Sequence, residues 1–136
     1  MISIVIPIYN EEENLHHLYD RITASAPEWK DEYEVVLVND GSFDGSREIL
    51  QTLVDKDSRI KVLHFSRNFG HQAAISAGIE YAKGDAVVIM DGDLQDPPEE
   101  LNRFLNKWRE GYEVVYAIRT KRKEGFFKKL AYKLFY

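Results

Sequence analysis

Strongly apolar segments alternate along this chain with stretches whose apolar residues recur at helical spacing. Ile2–Ile8 is a β-branched run of the kind found in a strand covered on both faces. Asn10 then reads as the N-cap of a helix over roughly 11–26, with Glu13 at N3 closing a capping box. Glu34–Val38 is a second buried strand, Ser46–Asp57 the next helix and Ile60–Phe65 the third strand. Gly70–Ala82 reads as a helix whose small residues permit close approach to a sheet, with Gly84 as its left-handed C-cap. Ala86–Met90 is the fourth strand. Asp96 then caps a helix with Pro97 at N1 and Glu99 at N3, ending near Gly111, and Val114–Ala117 is a short fifth strand. This alternation predicts an α/β fold of right-handed βαβ units around a mainly parallel sheet flanked by helices.

The last stretch differs in kind. Over Gly125–Tyr136, Phe126, Phe127, Leu130, Ala131, Leu134 and Phe135 fall on one helical stripe, with Lys128, Lys129 and Lys133 opposite. This predicts the start of an amphipathic helix with no cap or breaker before Tyr136. Charge follows the same division. The 136 residues carry a net charge of −5, but residues 1–116 hold 11 Lys+Arg against 22 Asp+Glu, whereas residues 117–136 hold 7 against 1. A basic tail on an acidic body suits an anionic contact, either phosphate or a membrane surface.

The apolar fraction of 44% and charged fraction of 30% are those of a globular domain. No apolar run approaches the ~18–20 residues that span a bilayer, and Met1 leads directly into a strand without the basic start of a secretory signal. The absence of cysteine excludes disulfides and thiolate metal sites and fits a reducing compartment. No repeat, linker or low-complexity tract interrupts the chain.

In open α/β sheets, ligands sit beyond the carboxyl ends of the strands. Four such ends carry chemistry here: Pro7–Asn10, Asn39–Gly41, Ser66–Gly70 and Asp91–Gln95. In an extended segment Asp91, Asp93 and Gln95 project to the same side, and two adjacent carboxylates repel unless a cation lies between them. All-oxygen ligands suit Mg²⁺ or Mn²⁺, which leave positions open for phosphate oxygens. Turn chemistry around Gly92 is the alternative, and the buried strand just before the pair favours the metal. Asp96 is assigned only a capping role. Asp40 can accept bonds from a base or a ribose, while turn chemistry alone explains Gly41, Ser42, Asp44 and Gly45. The same stretch fails as a calcium loop, since its twelfth position is Gln51 and a strand precedes it.

Glu11 serves either the site or the positive end of its helix. The segment from Ser66 to Gln72 combines the cation of Arg67 with amides at a helix start, a setting for an anion. His71, as a lone histidine, reads as structural. Neither a Walker loop nor a Gly-x-Gly-x-x-Gly element is present. Arg119, Lys121, Arg122 and Lys123 form either a solvated loop or a phosphate contact, with Arg119 the leading candidate. The lysines of the final stripe, Lys129 among them, either snorkel at an anionic bilayer surface or flank a face that packs on more of the domain.

Taken together these segments resemble the family 2 glycosyltransferases, and within them the polyprenyl-phosphate branch. The first two, Ile4–Glu12 and Val38–Ser42, mark the wider family. Arg67-Asn68-Phe69-Gly70 and Met90–Glu99, with its Asp-Gly-Asp-Leu-Gln-Asp-Pro-Pro-Glu, are closer to the lipid-phosphate branch. The resemblance implies an A-type glycosyltransferase fold of which this chain is the N-terminal portion. Residues 1–118 would be its nucleotide-sugar-binding part, and 119–136 a basic loop leading into the amphipathic, membrane-facing helix.

It further implies inverting transfer of a hexose from a UDP- or GDP-sugar, with UDP-glucose first by analogy, to a polyprenyl phosphate such as undecaprenyl or dolichyl phosphate. The setting would be the cytoplasmic face of a membrane. Pro7, Tyr9, Glu11, Asp40, Arg67 and Asp91 would bind the nucleotide-sugar. Asp91, Asp93 and Gln95 would hold Mg²⁺ or Mn²⁺, and Asp93 and Arg119 would be catalytic. Arg119, Arg122 and Lys129 would meet the acceptor phosphate. No nucleic-acid partner is implied, and the full-length protein could be oligomeric. A hydroxyl acceptor and a non-catalytic nucleotide-binding or membrane-docking module are the rival readings.

Overall fold

A computed structural model describes residues 1–119 and 127–132 of the chain, in two compact units, Met1–Pro98 and Glu99–Tyr136. The first unit holds four parallel strands, β1 (Ile2–Ile8), β2 (Tyr33–Asn39), β3 (Ile60–His64) and β4 (Ala86–Ile89), in the spatial order β3-β2-β1-β4. Helices α1 (Leu15–Ser25), α2 (Ser46–Lys56) and α3 (His71–Tyr81) make the crossovers, and a short 3₁₀ turn, Ala26–Trp29, follows α1. The chain runs outward from β1 to β3 and then returns to pair β4 with the other side of β1. Right-handed crossovers therefore put α3 on the opposite face of the sheet from α1 and α2.

The two faces follow from the alternation of side chains along β2. Val36 and Val38 join Val5 and Ala74 of α3 in one buried cluster. Val35 and Leu37 face the other way, where Leu15, Leu18 and Ile22 of α1 and Leu53 of α2 surround them. Each fully buried Val, Leu or Ile contributes about 1.5–3 kcal/mol. With both faces covered, β1 and β2 need continuous apolar runs, which is why they are legible as such. Gly78 lets α3 lie against the sheet, because a Cβ there would stand 2.3 Å from Val5 Cγ1.

Several local expectations are corrected. Asn10 does not cap a helix. It adopts a left-handed conformation (φ 52°), and α1 begins four residues later with Asn14 at its N-cap and no side-chain capping bond. Gly84 is not a left-handed cap either, since α3 ends on the extended Ala82. Gly84 is needed for close approach, as a Cβ there would lie 2.6 Å from the backbone nitrogen of Ser3. Asp96 caps the backbone of Asp91, not a helix.

In the second unit, a 3₁₀ turn, Pro98–Glu100, leads into α4 (Leu101–Arg109), which packs on β5 (Val114–Arg119). The helix expected from Gly125 is corrected over the described part of that stretch: Phe127–Tyr132 is a strand, β6, paired antiparallel with β5 and not with the parallel sheet. The register sets Ala117 opposite Lys129 and Arg119 opposite Phe127. The helical stripe in the sequence yields here to backbone pairing with the β-branched run of β5, a non-local partner that periodicity does not register. Arg122 lies outside the described residues. Among the described residues no helix is long and apolar enough to cross a membrane.

Candidate active site

The reversal of strand order between β1 and β4 is a topological switch point, where the loops on either side diverge and leave a crevice. An open cleft of ≈ 390 Å³ lies there, entirely within the first unit. Pro7, Tyr9 and Glu11 after β1, Asp40 after β2, and Asp91 and Asp93 after β4 all line it. The loop after β3 and the start of α3 add Asn68, Gly70 and His71. Four strand ends distant in sequence thus meet in one cavity, as the parallel topology requires.

Two layers of hydrogen bonds shape this edge. In the first, the loops after β1 and β2 are joined side by side. Ser42 Oγ accepts from the backbone of Asn10 (2.9 Å), Asn10 Oδ1 accepts from Phe43 N (3.0 Å), and Ser46 Oγ accepts from Glu11 N (2.9 Å). Asp44 accepts from Glu12 N and Ser46 N, while Glu12 accepts from Gly45 N. Burial opposes the charge on Asp44, but the bonds from Ser46 and Glu12 outweigh it and hold the carboxyl below its ordinary range. Ser42, Asp44 and Gly45 are spent on loop architecture, the role turn chemistry gives them. On the rim, Tyr9 meets the exposed Phe43 edge to face at 6.1 Å.

The second layer centres on Asp40, which is 4% exposed. Its Oδ1 accepts from Phe69 N (2.7 Å) and Gly70 N (3.3 Å); its Oδ2 accepts from Gly70 N (3.1 Å) and Asn68 Nδ2 (3.2 Å). Gly41 completes the junction. It has φ +71°, and a Cβ would stand 2.3 Å from Arg67 C and Asn68 N. The loop after β3 is therefore clamped against the loop after β2, and its turn at Gly70 (φ +107°) starts α3 with His71 on the cleft wall. Deeper in, His64 Nδ1 pairs with Asn39 Nδ2 at 3.0 Å, and Asn39 Oδ1 accepts from Ser42 N. Burial, then the neighbouring Arg47, lowers the His64 pKa, which keeps the imidazole neutral for that bond.

The other predicted site residues are distributed unevenly. Glu11 accepts from Asn14 Nδ2 at 2.8 Å while facing the cleft. Asp93 Oδ1 accepts from Gln95 N across a tight turn in which Leu94 is left-handed (φ 68°). Gln95 itself is exposed and outside the cleft lining, as is Arg67, whose guanidinium lies 4.0 Å over the Phe69 ring. Arg119 ends β5 and Lys129 lies on β6, both in the second unit. His71, which reads as structural in the sequence, lines the cleft with its Nε2 3.7 Å from Asp91 Oδ1. The available signal was its position, first in a helix directly after a strand-end glycine.

Among the described residues no three His, Asp or Glu side chains gather into a metal-holding cluster. The donor set is instead two carboxylates, Asp91 and Asp93, at one end of an open cleft. That set does not make a closed protein cage. It does fit a hard divalent cation that keeps most of its positions for water and phosphate oxygens, as Mg²⁺ and Mn²⁺ do.

The model of the family described as "Glycosyl transferase family 2" matches residues 3–135. The chain belongs to glycosyl transferase family 2. Among its family 2 relatives, "Uncharacterized glycosyltransferase YkcC" of Bacillus subtilis is 55% identical over 98% of this chain and 42% of the relative. An undecaprenyl-phosphate 4-deoxy-4-formamido-L-arabinose transferase of Aeromonas hydrophila is 45% identical over 98% of this chain and 41% of the relative. The chain thus spans about two fifths of the length of these curated relatives.

Among solved structures, S. aureus TarS 1-349 in complex with UDP-GlcNAc aligns with a TM-score of 0.67 at 25% identity, over 88% of this chain and 34% of that one. The mannosyltransferase PcManGT of Pyrobaculum calidifontis, in complex with GDP-Man and Mn²⁺, gives 0.68 at 23% identity over 89% and 35%, a likeness of fold. The first unit has the A-type glycosyltransferase fold that the sequence predicted.

Proposed function

We propose that the protein containing this chain transfers a hexose, with inversion, from a nucleoside-diphosphate sugar to a polyprenyl phosphate, and that the cleft at the β1/β4 switch point binds the donor. The observation that carries this reading is the convergence of Tyr9, Glu11, Asp91 and Asp93 in that single cleft. It occurs in a family 2 chain with relatives named for transfer involving undecaprenyl phosphate. The similarly folded TarS structure holds UDP-GlcNAc, and UDP is our first choice of nucleotide.

On this reading Pro7, Tyr9 and Glu11 line the nucleoside end of the cleft. Asp91 and Asp93 hold Mg²⁺ or Mn²⁺, which when bound supplies positive charge to the departing diphosphate. The acceptor phosphate oxygen attacks the anomeric carbon, a C–O bond forms, and the bond to the nucleoside diphosphate breaks with its electron pair. A phosphate monoester has a second pKa of about 6, so its oxygen is already anionic near neutral pH and needs no general base. Cations then become the useful acceptor residues, a role we assign to Arg119, Arg122 and Lys129. The basic stretch from 117 to 136 also suits the anionic headgroup surface in which such an acceptor resides.

The test is calorimetric titration of the full-length protein with UDP and GDP, with and without Mn²⁺, beside Asp91→Ala/Asp93→Ala. Cation-dependent binding that the double variant loses is the expected outcome, and the preferred base identifies the nucleotide. Transfer is then assayed on undecaprenyl phosphate and on soluble saccharides. Glycosylation of the saccharides but not of the lipid phosphate would refute the acceptor assignment.

A further inference from the structure

A nucleoside diphosphate entering this cleft meets an acidic wall. Glu11, Asp40, Asp91 and Asp93 all line it, and among the described residues the lining contains neither lysine nor arginine. Beside the cation that Asp91 and Asp93 would hold, a hydrogen-bond donor on the wall would offset the repulsion between the diphosphate and the remaining carboxylates. Asn68 is not available for this, since its Nδ2 is directed at Asp40. The remaining nitrogen donor among the lining side chains is the imidazole of His71.

Its placement is over-determined. The Asp40 carboxylate fixes the amides of Phe69 and Gly70, Gly41 admits the Arg67–Asn68 backbone, and the positive φ of Gly70 starts α3 at the next residue. His71 therefore sits in the first turn of an eleven-residue helix whose N-terminus carries no side-chain cap. Its ring stands at the same end of the cleft as the Asp-x-Asp turn. Nε2 is 3.7 Å from Asp91 Oδ1, near enough for attraction but too long for a hydrogen bond, and both side chains are about half exposed, at 57% and 49%. A donor held beside the carboxylates without being consumed by them is suited to an oxygen that approaches both.

We propose that His71 is a donor-binding residue: its imidazole N–H contacts the diphosphate of the nucleotide-sugar beside Asp91 and Asp93. This deepens the donor-site reading and rests on it. It gives the loop after β3 a function distinct from that of the metal pair. The contact belongs to the phosphates and not to the base, so it makes a specific prediction about which part of the ligand senses the residue.

The experiment compares wild type, His71→Ala and His71→Gln in the full-length protein with Mn²⁺ held constant. Affinities are measured for the preferred nucleoside diphosphate and for its nucleoside, uridine or guanosine. His71→Ala should weaken diphosphate binding by about tenfold or more, the effect of one hydrogen bond to a charged group. Nucleoside affinity should stay unchanged, and Gln, which restores an N–H donor, should recover most of the loss. Nucleotide-free Mn²⁺ affinity should be the same in all three.

Equal loss for nucleoside and nucleotide would overturn the proposal in favour of a structural role, and a fall in Mn²⁺ affinity would overturn it in favour of a role in orienting Asp91. Unchanged diphosphate affinity in His71→Ala, with normal wild-type binding, would reject His71 alone. Failure of wild type to bind either nucleotide would reject the donor-site reading and this proposal together.

Discussion

Replacing Asp40 with alanine removes the acceptor for three donors at once, the amides of Phe69 and Gly70 and the Asn68 side chain. A buried donor left without a partner costs about 1–3 kcal/mol. Phe69 is exposed and Gly70 half-buried, so water reaches part of the vacated site and the lower half of that range applies to each. Asn68 Nδ2 keeps its bond to the Asp40 backbone carbonyl, so the two amides set the sum at about 2–4 kcal/mol for Asp40→Ala. Asp40→Asn keeps one carbonyl oxygen for the amides but turns an NH₂ towards the remaining donors, for about 1–2 kcal/mol. Urea denaturation should show both losses as shifts in midpoint at constant slope. Nucleotide affinity, measured well below the unfolding transition, should fall with the disorganisation of the loop after β3 and recover in part in the asparagine variant. If Asp40→Ala leaves stability within about 0.5 kcal/mol of wild type while abolishing nucleotide binding, the carboxylate acts on the ligand and the loop-anchor argument is wrong.

Two further outcomes test the packing and the half-buried His64. Gly78→Ala should gain about 1 kcal/mol from helix propensity, yet its Cβ would stand 2.3 Å from Val5 Cγ1 and 3.2 Å from Val38 Cγ2. Overpacking by about 1–3 kcal/mol should dominate in wild type, and the same change in a Val5→Ala background should be neutral or stabilising by thermal denaturation. For His64, burial and Arg47 lower the folded-state pKa below the ordinary 6.5, so the neutral ring is the native form. Its contribution is complete above about pH 6.5 and is lost as pH falls from there through the folded pKa. Protonation also sets an N–H against Asn39 Nδ2. Unfolding free energies of wild type minus His64→Gln, measured from pH 7.5 to 5, should therefore decline with pH; a flat difference would show that His64 is not coupled to folding.

β1 and β2 were legible because burial on both faces demands continuous apolar runs, whereas β4, expected to be buried, stands at the end of the sheet with Val87 and Ile89 exposed; the site's location followed because parallel strands share one carboxyl edge. What misled was the use of local rules for residues with distant partners. Asn10 and Glu13 satisfy a capping box, but the Asn10 side chain is claimed by Phe43 N, thirty-three residues away. Gly84 sits where a left-handed cap belongs, yet its constraint is the backbone of Ser3 on another strand. Phe127–Tyr132 carries a helical stripe and becomes a strand because β5 offers it a pairing edge.

The same physics divides the polar residues at the strand ends into two groups that look alike in sequence. Asp40, Asp44 and Ser42 carry the residue types of a binding site, and each accepts backbone amides from a neighbouring loop. Glu11, Asp91 and Asp93 have the same chemistry and line the cleft, as Asp40 itself does. Spacing cannot separate the groups, since what decides is whether unpaired loop amides from another crossover arrive at the carboxylate. Such amides are obligatory donors wherever two connections are buried against each other, so part of the acidic set at any switch point must be spent on them. His71 follows from the converse argument. Once Asp40 has absorbed the amides of the loop after β3, the next residue is delivered to the cleft wall beside Asp91, where a histidine that reads as structural in isolation would meet the diphosphate of the proposed donor.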